Sequence, residues 1–154
     1  SDTLQAEAPW NALAESSYCQ TGEEDPKWTL QVICEPNDDG VQLPTNVNGF
    51  DAGLVGALPS SLGELVALTR LRLFNGAEIS SVPTEIGTLT GLERLVLHGI
   101  DLPSVPTEVG ALAGLKKLLL SANRLPSVPT EVGALPALTK LLLSANRLPS
   151  VPTE

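Results

Sequence analysis

The sequence has few of the residues from which metal and cofactor sites are built. Its 154 residues include one histidine, two cysteines, no methionine and only 3% aromatic residues. Two cysteines and one histidine, none of them adjacent, cannot complete a four-ligand zinc site. The acidic residues near the N-terminus lack the regular ligand spacing of a calcium loop. We therefore expect no metal site and no cofactor.

Long apolar runs and a basic excess are also missing. Charged residues or glycines interrupt every apolar stretch before it reaches the ~20 residues that a membrane-spanning helix needs. The net charge is -9, and residues 1–51 hold ten acids against the single base Lys27, whereas residues 52–154 hold eight of each. Nucleic-acid binding needs a basic surface. We expect no membrane span in this chain and no nucleic-acid partner.

An internal repeat dominates what the sequence does contain. Residues 102–124 recur at 125–147 with 20 of 23 positions identical, and residues 148–154 begin a further copy. The stretch LVGALPSSLGEL at 54–65 has a related spelling, which indicates a first, atypical repeat. Two earlier copies have the same leucine frame, and the first of them carries one extra residue before Val82; the frame leucines are Leu68, Leu71, Leu73, Leu92, Leu95 and Leu97.

The frame LxxLxLxxNxL resembles the leucine-rich-repeat family, and LPSVPTEVGAL resembles the variable half of its repeat. The resemblance covers about two-thirds of the chain. It implies an α/β fold, a right-handed leucine-rich-repeat solenoid with parallel strands on the concave face and short helical or 3-10 turns on the convex face. It also implies two parts, an N-terminal cap at 1–53 and about four and a half 23-residue repeats at 54–154 with an open C-terminal end.

The leucine frame predicts which residues the concave face presents. Side chains alternate along a strand, so the frame leucines point inward and the residues between them point outward. We expect a basic row beside an exposed apolar row, although duplication and solubility alone could account for both. The predicted binding face consists of Arg70, Arg72, Phe74, Arg94, Val96, His98, Lys117, Leu119, Ser121, Lys140, Leu142 and Ser144.

The convex half of each repeat starts with proline, at Pro83, Pro106, Pro129 and Pro152. Proline fixes φ near the start of a helical or 3-10 turn, and the Thr-Glu that follows places an acid near the N-terminal end of the turn. We expect an exposed, solvated row of acids at Glu85, Glu108, Glu131 and Glu154.

Asparagines follow the last two strands at a fixed offset. Asn123 and Asn146 resemble the family's asparagine ladder, in which a buried amide pairs with backbone groups that the turn leaves free. Ile100 and Gly76 occupy the equivalent region of earlier copies. We therefore expect the ladder to be incomplete in the N-terminal half.

The segment before the repeats contains Trp10, Cys19, Trp28 and Cys34, and it resembles the Cys-paired N-terminal cap of plant-type leucine-rich repeats. The resemblance implies a Cys19–Cys34 disulfide and an oxidising compartment. Such a bond would close a loop of about 15 residues and contribute ~3 kcal/mol. Two reduced thiols are the alternative.

The C-terminal end of the repeats lacks a polar cap. Leu141, Leu143, Leu148 and Val151 complete the apolar spine with nothing after them to cover it. Terminal repeats without a polar face make solenoids associate. We expect an interface here with further repeats, a second copy of the chain or another subunit.

Catalytic motifs are absent from the sequence. It contains no Gly-x-Ser-x-Gly elbow, no phosphate-binding loop and no His-Glu-x-x-His helix, and no nucleophile is placed near His98. We expect a non-enzymatic, secreted or cell-surface module that binds a protein or an anionic glycan on its concave face. The alternatives are a structural or adhesive subunit of an extracellular assembly and an inhibitor of a secreted hydrolase. The sequence contains no Asn-x-Ser/Thr sequon, so N-glycosylation gives no independent support for secretion.

Overall fold

The computed structural model of the chain describes residues 30–50, 55–75 and 78–149. Short strands alternate with single-turn 3-10 helices along these ranges. The strands are β1 (Leu30–Pro36), β2 (Gln42–Phe50), β3 (Val55–Ala57), β4 (Arg70–Phe74), β5 (Glu78–Ser81), β6 (Arg94–His98), β7 (Lys117–Leu119) and β8 (Lys140–Leu142); the 3-10 helices are η1 (Ser60–Glu64), η2 (Thr84–Thr88), η3 (Thr107–Ala111) and η4 (Thr130–Ala134).

The main sheet has six strands in the order β1-β2-β4-β6-β7-β8. All neighbours from β2 to β8 are parallel, and β1 lies antiparallel at the edge beside β2. Asn46, Arg70 and Arg94 follow each other in register at intervals of 24 residues, and Lys117 and Lys140 continue the row at intervals of 23. The four strands β4, β6, β7 and β8 that the leucine frame predicts are confirmed.

Strand β2 is a parallel strand that the sequence did not predict. It lies within 1–53, the segment assigned to the cap, and pairs directly with β4. Its register places Val47 beside Leu71 and Gly49 beside Leu73, so only one of the two frame positions is aliphatic. The leucine pattern of the repeats therefore could not predict this strand. The boundary at 53 stays a prediction, but the main sheet begins before it.

A second, two-stranded parallel sheet is formed by β3 and β5. The pairing skips Ser80, because Gly56 lies opposite Ile79 and Ala57 lies opposite Ser81. Ser80 is in the stretch before Val82 where the sequence has one extra residue. The corresponding stretch of the next repeat, 101–106, contains no strand. The small sheet thus belongs to the longer, 24-residue repeats.

The core is aliphatic, and it lies between the main sheet and the 3-10 helices. Leucines of the frame in β4, β6 and β7 have no exposed surface or almost none, which confirms that they point inward. In the first repeat Leu58, Leu62 and Leu65 are buried as expected, whereas Leu54 lies outside the described residues. Each such side chain contributes roughly 1.5–3 kcal/mol, so a chain with few aromatics can still hold a stable spine.

The 3-10 helices form the face opposite the main sheet. Pro83, Pro106 and Pro129 immediately precede η2, η3 and η4, and the carbonyl of each accepts the backbone N–H three residues later. Glu85 and Glu131 are exposed, while Glu108 is half-buried between them. The predicted acidic row is therefore present over these three positions. Pro152 and Glu154 lie outside the described residues.

Each strand of the repeats is followed by a left-handed turn residue. Asn75, Gly99, Ala122 and Ala145 occupy equivalent positions with φ of 31°, 63°, 58° and 54°. An L-residue in this region costs roughly 1–2 kcal/mol, so the turn must be held by other contacts. In the last two repeats the asparagine that follows provides them.

The amide of Asn123 is buried in the turn and fully hydrogen-bonded. Its Oδ1 accepts the backbone N–H groups of Ile100 and Leu102 at 3.2 and 3.0 Å, and its Nδ2 donates to the carbonyls of Leu97 and Leu120 at 2.6 and 2.9 Å. Asn146 repeats the arrangement one period later. Ile100 is buried at the equivalent place, so the incomplete ladder is confirmed there. Gly76 lies outside the described residues.

Candidate binding site on the sheet face

The outward side chains of the parallel strands form what we call the sheet face. Strand register arranges them in three rows that run across the strands. The first row is Asn46, Arg70, Arg94, Lys117 and Lys140; the middle row is Asn48, Arg72, Val96, Leu119 and Leu142; the third row is Phe50, Phe74 and His98, continued after the strands by Ser121 and Ser144.

The first row is basic from β4 to β8. Arg70, Arg94 and Lys117 are half-buried and Lys140 is exposed. Within the described part of the chain, none of these four takes part in a salt bridge; the salt bridges found are Lys116–Glu93 and Arg124–Asp101. The basic row therefore retains its charge for a ligand.

Glu93 lies directly before β6, beside the basic row. Lys116 Nζ donates to Glu93 Oε1 at 2.6 Å. This hydrogen bond and the charge of Lys116 lower the pKa of Glu93; desolvation opposes the shift, and the charges of Arg70 and Arg94 add to it. Glu93 thus stays ionised and leaves the row beside it positive overall.

Acidic residues lie on the opposite face. Glu85, Glu108 and Glu131 belong to the 3-10 helices, while five bases occupy the sheet face at Arg70, Arg72, Arg94, Lys117 and Lys140. The repeat region has a near-neutral total charge, but its two faces carry opposite charge. The net charge of the sequence therefore does not reveal that bases and acids lie on opposite faces.

The middle row corrects the expectation of a continuous exposed apolar row. Val96 is only 7% exposed, Leu119 is half-buried, and Leu142 is 39% exposed. Val96 lies in register between Arg72 and Leu119, which are both longer, and Arg94 and His98 flank it along β6. A short side chain among long ones is shielded from solvent. The apolar row is exposed at its C-terminal end.

Ser121 is a second correction. It was predicted on the exposed face, but β7 ends at Leu119 and Ser121 is 6% exposed. Its backbone carbonyl accepts the N–H of Gly99, and its Oγ accepts a hydrogen bond from Ser144 Oγ at 3.0 Å. Ser121 therefore holds the turn, and Ser144 is the exposed member of the pair.

The third row begins with aromatic rings. The rings of Phe50 and Phe74 are 5.2 Å apart and parallel to within 2°, and His98 lies 6.4 Å from Phe74 at 51°. Phe50 is 50% exposed. We call Phe50, Phe74 and His98 the aromatic row.

Phe50, Asn46 and Asn48 are sheet-face residues that the sequence-based prediction missed. The stretch Asn-Val-Asn-Gly-Phe alternates, and it lies 24 residues before Arg70–Phe74. Extending the 24-residue interval by one more period would have found them. The predicted binding residues Arg70, Arg72, Phe74 and His98 lie beside them.

The N-terminal end of the sheet face contains buried polar atoms without partners. Asn48 is 7% exposed, and its Oδ1 accepts no hydrogen bond from the described residues. On the neighbouring strand Arg70 Nε is buried and donates none. Buried polar atoms are nearly always paired. An acceptor on β2 and a donor on the adjacent strand β4 are therefore buried without a partner among the described residues.

The residues of the predicted C-terminal interface are less well covered than their equivalents. Leu141 is 39% exposed, and Leu143 and Leu148 are half-buried, whereas Leu118 in the preceding repeat is completely buried. Val151 lies outside the described residues. The interface stays a prediction.

Cys34 lies on β1 and is half-buried. Cys19 lies outside the described residues, so their pairing stays a prediction. In the ranges that the structure describes, no helix is long and apolar enough to cross a membrane, and no group of three or more His, Cys, Asp or Glu side chains could hold a metal ion.

Comparisons with known proteins show likeness at the level of structure. No protein-family model matches the chain, and no curated protein does. A leucine-rich-repeat protein of Leptospira interrogans is 30% identical, with a TM-score of 0.52 over 64% of this chain and 31% of that one. The structure of PEPR1-AtPEP1 is 33% identical, with a TM-score of 0.55 over 66% of this chain and 14% of that one.

A third structure matches almost end to end. The leucine-rich-repeat ectodomain of the receptor kinase SOBIR1 from Arabidopsis thaliana has a TM-score of 0.55 and 17% identity over 93% of this chain and 94% of that one. The chain spans less than a third of the length of the first two proteins. Together with the parallel sheet and the 3-10 helices, these likenesses confirm the α/β leucine-rich-repeat solenoid.

Proposed function

We propose that this chain is a non-catalytic extracellular binding module whose sheet face recognises a peptide or protein segment rich in acidic side chains. The observation that carries the proposal is the in-register row Arg70, Arg94, Lys117 and Lys140, which is free of salt bridges among the described residues. Complementary charge gives specificity and faster association. The likeness to leucine-rich-repeat ectodomains supports the extracellular placement.

The geometry suits a ligand that runs across the strands. Neighbouring strands lie about 4.8 Å apart, so a segment crossing β4 to β8 meets one base at each step. The acids of the 3-10 helices repel the same ligand from the opposite face.

A disulfide between Cys19 and Cys34 accompanies this proposal, because such a bond forms under the oxidising conditions outside the cell. Free-thiol titration of the denatured, unreduced protein tests it, and two reactive thiols would contradict it.

A peptide selection with matched charge reversals tests the proposed function. Random dodecapeptides displayed on phage are selected against the folded chain, and the affinities of the selected peptides are measured by calorimetry. The sheet-face variant is Arg94→Glu with Lys117→Glu, and the control is Glu108→Lys with Glu131→Lys. Glu108 and Lys117 lie in the repeat 102–124, Arg94 lies in the repeat before it and Glu131 lies in the repeat after it.

We expect the selected peptides to be enriched in Asp and Glu. The sheet-face variant should weaken them by about tenfold or more, since each tenfold step corresponds to about 1.4 kcal/mol, and the control should bind as well as the parent chain or better. Circular dichroism confirms that both variants are folded. An equal or greater loss in the control would place binding elsewhere, and a sulfated oligosaccharide that competes for the site while no peptide is enriched would assign it to glycans.

A further inference from the structure

The N-terminal end of the sheet face differs chemically from the remainder and carries a finer inference, which rests on the proposed function. We propose that Arg72 and the aromatic row form a subsite for one acidic and one aromatic side chain, two positions apart in an extended peptide. The subsite would determine specificity, and the lysines at the other end would add general attraction.

The aromatic row suits an aromatic side chain of the ligand. Phe50 and Phe74 are parallel, and their 5.2 Å separation is close to the strand spacing of about 4.8 Å. The rings therefore stack across the strands, and Phe50 remains 50% exposed. Aromatic pairs contribute more than their buried area alone in offset-stacked or edge-to-face contacts, so an aromatic side chain of the ligand gains by packing on this row.

The spacing along β4 sets the sequence of the ligand. Arg72 and Phe74 are two residues apart, which is about 7 Å in a strand. Side chains two positions apart in an extended peptide share one face and have the same separation. A short segment of the ligand that lies along β4, before the ligand turns to cross the strands, therefore places the side chain two positions away over the aromatic row when its carboxylate lies over Arg72. Across the sheet, β8 presents Lys140 and Leu142 and no ring.

Double-mutant cycles with blocked peptides test the subsite. The probe is an N-acetylated, C-amidated nonapeptide of Gly and Ser with a central Asp-Ser-Trp, and its relatives carry Asn for Asp or Ala for Trp. Blocking both ends removes terminal charges. The chain variants are Phe50→Ala, the milder Phe50→Leu, and Arg72→Gln. Val66→Ala and Arg147→Gln, at two exposed positions outside the sheet face, are the controls, and affinities are measured by fluorescence anisotropy.

We expect Phe50→Ala to weaken the Trp peptide by about five- to tenfold, as for a moderate interface hot spot, and to leave the Ala peptide almost unchanged. Phe50→Leu should fall between. Arg72→Gln should weaken the Asp peptide and not the Asn peptide. Val66→Ala and Arg147→Gln should change affinity by less than about twofold, because they lie away from the coupled pairs.

Additive losses in either cycle would overturn the subsite. If the probe binds with the same dependence on Arg94 and Lys117 but does not respond to Phe50 or Arg72, the subsite is wrong and the proposed function stands. If no acidic peptide binds, both fail. A sulfated tetrasaccharide that depends on Phe50 while the peptides do not bind would assign the same surface to a glycan and overturn the peptide proposal.

Discussion

The repeats at 102–124 and 125–147 share 20 of 23 residues, but the structure buries them differently. Leu118 is completely buried and its equivalent Leu141 is 39% exposed; the amide of Asn123 is buried and that of Asn146 is half-buried. The difference shows that burial at a repeat position is set by the repeat that follows it. Almost every side chain in 102–124 therefore has a control of identical local sequence in 125–147.

The leucine pair should give the largest contrast. Leu118→Ala removes a completely buried side chain and should lower the free energy of unfolding by about 2–5 kcal/mol. Leu141→Ala acts on a partly exposed side chain and should cost about 1 kcal/mol. Urea unfolding of both variants measures the difference. Equal losses would mean that Leu141 is covered in solution, as a C-terminal interface requires.

The asparagine pair should come next. Asn123→Ala leaves the N–H groups of Ile100 and Leu102 and two carbonyls without their partner, and we expect a loss of about 2–4 kcal/mol. Asn146→Ala should cost about half as much, because water reaches the freed groups. Hydrogen exchange at residues 99–102 localises the effect. Protection that survives Asn123→Ala would show that the turn does not depend on the amide.

The glycine pair should differ in sign. A side chain at Gly110 would collide with the Cβ of Glu131, so Gly110→Ala should destabilise the chain by about 1–3 kcal/mol. Among the described residues nothing lies within 4 Å of the same position at Gly133, and Glu154, the counterpart of Glu131, lies outside them. Gly133→Ala should be neutral or stabilise by up to about 1 kcal/mol, because alanine reduces the freedom of the unfolded chain. A thermal melt of each variant distinguishes them, and equal destabilisation would contradict the stacking of η3 on η4.

The smallest effect should come from one of the three positions at which the two repeats differ. Lys116 lowers the pKa of Glu93, and the equivalent residue in the next repeat is Thr139. The lowered pKa stabilises the fold above the ordinary pKa of glutamate, and this contribution disappears as the pH falls through the lowered value. Lys116→Thr should move the pKa of Glu93 upward in an NMR titration and slightly reduce the acid dependence of unfolding. An unchanged pKa would show that Arg70 and Arg94 suffice.

The repeat spelling was sufficient to predict the parallel strands from β4 onward, the inward leucines and the missing asparagine at Ile100. It could not predict β2, because Gly49 stands at a position that carries leucine in the later strands and Val47 is the only aliphatic frame residue. A strand of this kind becomes recognisable through its pairing with β4.

Exposure on the sheet face was harder to predict than position. Strand parity placed Val96 and Ser121 outward, and both are nevertheless buried. Parity depends on the residue's own strand, whereas exposure depends on the length of the side chains on the two neighbouring strands and on where the strand ends. The aromatic row was not predicted for a related reason. Phe74 stacks on Phe50, and Phe50 lies on a strand outside the leucine frame.

The fit of Gly110 against Glu131 bears on how such a chain can change in length. Gly87 meets Glu108 in the same way, so successive 23-residue units present compatible surfaces to each other. A further copy inserted after Arg124 would meet on both sides the partners that its neighbours already have. Each insertion would widen the sheet face by one strand, about 4.8 Å, and add one lysine to the first row. Whole-unit duplication can therefore enlarge the ligand footprint without a redesign of the core.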